Sequence, residues 1–352
     1  MNVYSNLAVD LKSPDTVKVG DNERQNKIQY GDVLFTGSSE NTVECGLSSV
    51  LTTKTDESLY LNSLCFGYRF NKQDLFLPNF SKYLFRSDKL RKQIIKTASG
   101  VTRFNVSKKK MEKIAIPIPP LEVQEEIVRL LDSFTELTAE LTAELTARRK
   151  QYEYYSVALF EPKDDQYIGL RPNVVEYKTI GEIAKVLRGK RLTKDKLLNG
   201  EKYPVYHGGL DPLGYYNKSN RQANTVMIIN VGASAGTVGY SPVDFWSSDG
   251  CFCISHSGEF INKYLYYAMI CQENYLKSKV RVAGIPTLDS VVLEKLKVPI
   301  PPRSEQERIV SILDRFDTLC NDISIGLPAE IVARKKQYEY YRDKLLTFKK
   351  IS

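Results

Sequence analysis

Histidine is nearly absent from this 352-residue chain, which carries two, His207 and His256. A metal site built on several imidazoles and a Ser-His-Asp triad are therefore poorly supplied. Cysteine is sparse: six thiols, none in a Cys-x-x-Cys pair, so the spacings of zinc ribbons and dithiol redox motifs are missing. Cys251 and Cys253 alternate in a strand-like run and point the same way, and the thiols read as buried and reduced. No run of about 18 apolar residues occurs, so no transmembrane helix is expected. Met1 to Asp10 lack a basic stretch leading into an apolar core, so no signal peptide is expected. Apolar residues at 42% and charged residues at 26% exclude wholesale disorder and collagen-like repeats. The charge is lopsided by only +8, enough to suit a polyanionic partner.

Motifs for chemistry are also missing. Gly232, Gly236 and Gly239 do not have Gly-x-Gly-x-x-Gly spacing, and no Gly-Lys-Ser/Thr follows them, so they read as a strand turn rather than a phosphate loop. No Asp/Asn-Pro-Pro-Tyr methyltransferase signature is present. The acidic residues are interleaved with basic ones, as on solvated helix faces. No catalytic set and no metal-ligand set emerges, which points to a binding or assembly protein without a cofactor of its own.

What the chain does have is an internal duplication. Ile116-Pro117-Ile118-Pro119-Pro120 recurs as Val298-Pro299-Ile300-Pro301-Pro302. Gln124-Glu125-Glu126-Ile127-Val128 and Leu131-Asp132-Ser133-Phe134 recur at the same offset, from Gln306 and Leu313. Ala147 to Tyr155 recurs as Ala333 to Tyr341 with eight of nine positions identical, at a slightly larger offset because the second copy carries a short insertion. The period is far too long for a solenoid. The chain is a two-part unit written twice, each with a variable part and a repeated part.

The repeated part is helical. Each Pro-Pro pair suits a helix entrance, where a missing N–H costs nothing, and Ser304 with Glu307 has capping-box spacing. Ile127, Leu131, Phe134, Leu137, Leu141 and Leu145 recur at helical intervals, and Tyr152, Tyr155 and Leu159 continue the stripe. A helix from Leu121 to Phe160 would span about 60 Å and needs a partner for its apolar face. The second repeated helix is that partner, interrupted at Gly326-Leu327-Pro328. Phe134, Leu141, Tyr152, Tyr155, Phe316, Tyr338 and Tyr341 are the candidate helix-core or partner-docking residues.

The variable parts read as short strands with Gly, Asn and Ser turns, followed by helical patterns at Phe80–Thr97 and Phe260–Lys279. The expected architecture is α+β: two mixed-sheet domains separated by two long, antiparallel, coiled-coil-like helices. The expected divisions are 1–119, 120–160, 161–301 and 302–352. Basic and polar side chains cluster among aromatics in the variable parts. Arg188, Lys190, Arg191 and Lys194 form the densest group, followed by His207, Asn217, Lys218 and Arg221; Arg103, Asn105, Lys108 and Lys109 are comparable in the first part. Such side chains reach phosphates and base edges, although any one of them is equally at home on a solvated loop.

This order of variable part, Ile-Pro-Ile-Pro-Pro, Gln-Glu-x-Ile-Val, Leu-Asp-x-Phe, long helix and Lys-Gln-Tyr-Glu-Tyr-Tyr, repeated, resembles the specificity (S) subunit of type I restriction–modification systems. The tandem Thr-Ala-Glu-Leu units at Thr138–Leu141 and Thr142–Leu145, and Gly326–Ile331, are further marks. The resemblance implies two target recognition domains reading the halves of a split, asymmetric double-stranded DNA site, with repeated helices docking methyltransferase subunits. It implies a cytoplasmic prokaryotic protein that does no chemistry. Its methyltransferase partners would use S-adenosylmethionine, and motor–nuclease partners ATP and magnesium. The first variable part is short: the stretch from Met1 to Pro117 is clearly smaller than that from Tyr155 to Pro299. No counterpart of Tyr177–Ile183 is visible near Met1. A first domain that is truncated, or that assembles without reading DNA, is the alternative expectation.

Overall fold

The computed structural model describes residues 2–12, 16, 18, 25–160, 175–198 and 200–349. The first residues of the expected second variable part, 161–174, lie outside them. The chain forms two compact units, Met1–Thr142 with Glu330–Ser352, and Ala143–Ala329. Both are α+β.

In the first unit, α1 (Asn2–Ser5), β1 (Asn26–Lys27), β2 (Val33–Thr36), β3 (Ser38–Ser39), β4 (Ser48–Val50), β5 (Tyr60–Leu61) and β6 (Cys65–Tyr68) precede α2 (Pro78–Leu84) and α3 (Asp88–Ile95). Then come β7 (Ala98–Ser99), β8 (Phe104–Val106), α4 (Lys108–Met111) and the long α5 (Leu121–Ala158). The sheets are small and antiparallel: β4-β2-β6, β3-β8-β7 and β1-β5. A parallel element enters at the Ala8–Val50 bridge. Val33 and Phe35 alternate toward a core completed by Phe80, Tyr83, Leu84 and Ile94 on one side and by Ile127, Leu131 and Leu346 on the other.

The second unit runs β9 (Glu176–Thr179), α6 (Ile180–Ile183), β10 (Val186–Arg188), β11 (Tyr203–Tyr206), β12 (Gly214–Tyr216), β13 (Thr225–Ile229), β14 (Val238–Ser241), β15 (Trp246–Ser247) and β16 (Cys251–Ile254). It continues through α7 (Asn262–Ile270), α8 (Glu273–Ser278), α9 (Ser290–Glu294), β17 (Lys297–Ile300) and α10 (Arg303–Asn321), and α11 (Leu327–Leu345) returns the chain to the first unit. Its main sheet is β10-β16-β13-β14. A second sheet, β12-β11-β15, is mixed because β15 joins β11 in parallel, and β9 pairs β17. Every residue of β13 and β16 is buried, as the continuous apolar runs require. Cys251 and Cys253 lie on one face with Met227, Ile229 and Phe245, and none of the six cysteines is in a disulfide. Residues 230–237 make the β13–β14 turn, closed by Gly236 N–H on Ile229 O at 2.8 Å, so Gly232 and Gly236 serve a turn.

Three local expectations change. Each variable-part helical pattern is a broken pair, α2–α3 and α7–α8, rather than one helix. In the first pair the break is held by Ser87 Oγ on Leu84 O at 2.7 Å. Ser304 does not cap: the helix starts at Arg303 with Pro302 at its N-cap, which puts Ser304 inside the first turn. The capping box stands instead at Thr179–Glu182. The first long helix ends at Ala158, and the second is in two pieces, as Gly326 and Pro328 dictate.

The repeated helices pack within each unit through aromatic rings. Phe134 stacks on Tyr341 in the first, centroids 5.5 Å apart. In the second, Phe316 stacks on Tyr155 at 5.5 Å and on Tyr152 at 6.2 Å. Arg149 donates to Cys320 O at 3.5 Å, while Leu159 and Phe160 share a cluster with Ile309 and Leu313. Rising numbers on α5 therefore meet falling numbers on α10, and the two are antiparallel.

Candidate nucleic-acid interface

In the second unit the basic stretch after β10 is fixed by its backbone and presents its side chains outward. Gly189 N–H donates to Cys251 O at 3.1 Å and Lys190 N–H to Ser247 O at 2.9 Å. Trp246 Nε1 donates to Lys190 O at 2.8 Å. Gly189 is required by this stitching, because a Cβ there would lie 1.8 Å from Ser248 O. Arg188, Lys190, Arg191 and Lys194 are all exposed. His207 reaches the same turn from β11: Nδ1 accepts from Gly250 N–H at 3.2 Å and lies 3.3 Å from Asp249 Oδ1. The turn Ser247–Gly250 thus brings Arg188, Lys190 and His207 to one place.

Arg221 has a different position. Its guanidinium donates to Arg188 O at 2.8 Å and Asn220 O at 2.7 Å, and it is half-buried. It clamps the loop that carries Arg188. Asn217 and Lys218 are exposed just past β12, where Tyr216 packs edge-on against Trp246 at 5.2 Å. Leu198 N–H bonds Tyr215 O at 3.1 Å, which holds the Lys194 turn beside β12.

In the first unit, Arg103 and Asn105 lie on the β7–β8 hairpin, exposed, with Arg103 Nε 3.3 Å from Ser38 Oγ. Gly100 sits at φ +146° in that hairpin, and a Cβ would meet Arg103 O at 2.0 Å. Lys108 and Lys109 are exposed on α4, one turn further on, and Lys108 Nζ lies 5.3 Å from the centroid of the Phe66 ring. The four residues share one sequence neighbourhood but not one surface feature comparable to the Ser247–Gly250 turn.

The docking candidates Phe134, Tyr152, Tyr155, Phe316, Tyr338 and Tyr341 all engage rings within their own unit. Leu141 is half-buried on α5. The middle tyrosine of each Tyr-Glu-Tyr-Tyr element faces out instead: Tyr154 is 53% and Tyr340 61% exposed.

Two pairs of polar residues in the repeat are not among the candidates read from the sequence, yet they fix the geometry. Gln124 is fully buried; its Oε1 accepts Leu77 N–H at 2.9 Å, and its Nε2 donates to Leu75 O and Pro119 O, each at 2.8 Å. Gln306 repeats this, accepting Ile261 N–H at 2.7 Å and donating to Glu259 O at 3.1 Å and Pro301 O at 3.0 Å. Leu77 and Ile261 are the N-caps of α2 and α7, so each amide satisfies the entrance of a domain helix. Asp132 accepts from Tyr83 at 2.5 Å and Lys82 at 2.8 Å. Asp314 accepts from Tyr267 at 2.5 Å, with Lys263 at 3.7 Å. Burial and these carboxylates push the Tyr83 and Tyr267 hydroxyls far above the ordinary phenol range. The duplication itself is the signal: a glutamine and an aspartate held constant while their surroundings vary.

Among the described residues no cluster of three or more His, Cys, Asp or Glu could hold a metal, and no helix is long and apolar enough to cross a membrane.

Comparison with known proteins agrees with this geometry. The family model "Type I restriction modification DNA specificity domain" matches residues 12–148 and 172–333. The Escherichia coli type I restriction enzyme EcoR124I/EcoR124II specificity subunit is 36% identical over 273 residues, covering 70% of this chain and 65% of that protein. The chain therefore spans just under two thirds of that relative. A putative type I specificity subunit of Mycoplasma pneumoniae is 32% identical over 244 residues, covering 68% of this chain and 98% of its own length. The fold matches the crystal structure of the type I restriction–modification S subunit from M. genitalium, with a TM-score of 0.60 at 19% identity over 93% of this chain and 85% of that one. Duplicated helices, two α+β units and matched sequence agree: the chain belongs to the family of type I restriction–modification specificity (S) subunits, the non-catalytic DNA-specificity component of those systems.

Proposed function

We propose that this chain reads a bipartite, asymmetric DNA site, each unit contacting one half, and that it presents the site to methyltransferase and motor–nuclease subunits in a prokaryotic cytoplasm. The observation that carries the reading is the duplication of one scaffold beneath two different heads. Equal scaffolds with unequal heads favour two unlike half-sites, as protein symmetry and site symmetry mirror each other elsewhere. Arg188, Lys190, Arg191, Lys194, His207, Asn217 and Lys218 are the proposed contacts of the second head, with Arg221 as their support. Arg103, Asn105, Lys108 and Lys109 are those of the first. Methyl transfer and base flipping belong to the partner.

Methylome sequencing of a host expressing this chain with its cognate methyltransferase tests the reading. A split motif with two unlike halves is expected; a continuous or palindromic motif would refute it. A second reading has the first head assemble without reading DNA. A motif with a single specified half would establish that reading.

A further inference from the structure

A β-hairpin stands at the same place in both units, shortly before the Pro-rich segment. In the first unit Ser99 pairs Asn105 across β7 and β8. In the second Arg281 and Thr287 exchange both main-chain bonds, at 2.9 and 3.0 Å. These paired positions are related by the offset that relates Pro117 to Pro299, so the hairpins correspond. Each encloses five residues, 100–104 and 282–286. Each leads into a short capped helix: Ser107 Oγ accepts Lys110 N–H at 3.4 Å, and Asp289 Oδ1 accepts Val291 N–H at 3.2 Å.

The tips keep an apolar character without keeping a sequence. Val101 is 92% exposed, Val282 80% and Ile285 71%. Among the described residues only Ile323 and Ile325, between α10 and α11, match them for a large apolar side chain. One exposed apolar residue carries no message, but recurrence at one place in two heads of unlike sequence does. The surroundings are basic. No Asp or Glu occurs in 97–111 or in 274–288, which hold four and three basic residues. The second hairpin is also tied to the turn that gathers Arg188, Lys190 and His207. Gly232 N–H donates to Pro286 O and Leu288 N–H to Asn230 O, each at 2.9 Å, and Asn230 N–H donates to Gly250 O at 3.2 Å. The first hairpin carries Arg103 within its loop and Asn105 at its base.

We propose that each hairpin tip is a wedge that enters a base step of its half-site and partly unstacks it, Val101 in the first unit and Val282 with Ile285 in the second. The inference rests on the proposed reading of DNA and adds how each head deforms the duplex it reads. Proteins that kink DNA insert apolar side chains between base pairs while neighbouring cations hold the phosphates. An apolar tip on an acid-free, basic hairpin has that composition. A protein surface is the less favoured occupant, since a rim with positive charge and no acids finds its complement in a polyanion. The two loops differ in sequence because the step each enters belongs to a different half-site.

The test uses the full chain assembled with its methyltransferase, on duplexes of the motif that methylome sequencing identifies. A fluorescent base analogue, 2-aminopurine or pyrrolocytosine, is placed in turn at each base pair other than the methylated one. At saturating complex, one step in each half should brighten at least about twofold as its stacking is broken. Val101→Ser should remove the signal only in the half read by the first unit, and Val282→Ser with Ile285→Ser only in the other, while Ile285→Leu keeps it. The salt slope should not change, because no phosphate contact is lost. Brightening absent with the wild type, or unaltered by the serine variants, overturns the proposal and leaves the DNA reading intact. A serine variant with an unchanged circular dichroism spectrum that no longer assembles would assign the tips to the methyltransferase and overturn it as well. Absence of any specified motif would remove the DNA reading itself, and the wedge with it.

Discussion

Phe316 lies over Tyr155 with ring centroids 5.5 Å apart and planes 27° apart, and Phe134 lies over Tyr341 at 5.5 Å and 17°. Each pair joins the first half of one repeat to the second half of the other, so neither unit is built from a single copy. Stacked pairs contribute about 0.5–1.5 kcal/mol beyond their buried area. Phe316→Ala should therefore destabilise the second unit by about 2 kcal/mol, below the range for fully buried phenylalanines because the ring is half-buried. Hydrogen exchange should accelerate along Arg303–Asn321 and the second half of α5 while the first unit stays protected. Phe134→Ala should show the converse. Uniform acceleration across both units after either change would show that the stacks are not local to their units.

Gln124→Ala removes the side-chain partner of Leu77 N–H and of the carbonyls of Leu75 and Pro119 at a buried position. Buried groups left unsatisfied cost about 1–3 kcal/mol. A lower midpoint in chemical denaturation is expected for Gln124→Ala and for Gln306→Ala. The double variant should lose the sum of the two to within about 0.5 kcal/mol, because the two amides share no partner. Gln124→Glu tests the same geometry: it keeps the acceptor for Leu77 but cannot donate to Leu75 and Pro119, so it should not restore stability.

Alkaline pH tests the tyrosine–aspartate anchors. Tyr83, Tyr264 and Tyr267 are buried, and desolvation raises their hydroxyl pKa values well above 10.0; at Tyr83 and Tyr267 the hydrogen bonds donated to Asp132 and Asp314 raise them further. In the unfolded chain they titrate near the ordinary value. Above that value the unfolded state binds fewer protons than the folded one, so stability falls with rising pH. The contribution is complete below about pH 10 and is lost above it. Phenolate absorbance should show a fraction of tyrosines that ionises only as the chain unfolds. Tyr83→Phe and Tyr267→Phe should remove part of that late fraction; full titration before unfolding would contradict the assignment.

The duplication makes the repeated helices, their break at Gly326–Pro328 and the inward tyrosines legible in the sequence, because apolar period and repetition agree there. The breaks at Ser87 and between Ile270 and Glu273 are hidden, since the apolar pattern runs across them and the backbone turns are set by tertiary packing. Pro302 takes the N-cap that the spacing assigns to Ser304, and Ser304 falls inside the first turn of the helix. For the interface, residue types identify the exposed Arg188–Arg191 run. They do not separate Arg221, whose two terminal guanidinium nitrogens donate to main-chain carbonyls, from neighbours whose side chains stay exposed.

Charge reversal at Arg188, Lys190 and Arg191 should weaken DNA binding of the assembled complex. The slope of log affinity against log salt should flatten by about one unit for each phosphate these side chains no longer neutralise. Arg221→Ala should behave differently, lowering affinity through a loosened loop with little change in slope. Salt titrations of both variants distinguish them; an unchanged slope after triple reversal would place those three side chains off the phosphates.

The Thr-Ala-Glu-Leu units connect structure to site geometry. α5 runs without interruption from Leu121 to Ala158 and passes from one compact unit to the other at Thr142–Ala143, inside these units. Thr138 Oγ1 donates to Phe134 O at 2.8 Å and Thr142 Oγ1 to Thr138 O at 2.7 Å, so the hydroxyls are satisfied along the helix itself. Four residues are slightly more than one turn, and removing Thr142–Leu145 shortens the helix by about 6 Å while rotating it by about 40°. The stacks at Phe134 and Tyr155 lie on either side of the deletion and keep their partners. At about 3.4 Å per base pair, the gap between the two half-sites should shrink by one or two base pairs, and the rotation is close to the twist of one step. The bases read in each half should not change, since neither head is altered. Methylome sequencing of wild type and deletion side by side measures both quantities. An unchanged gap, or an altered half-site at constant gap, would show that α5 does not set the spacing.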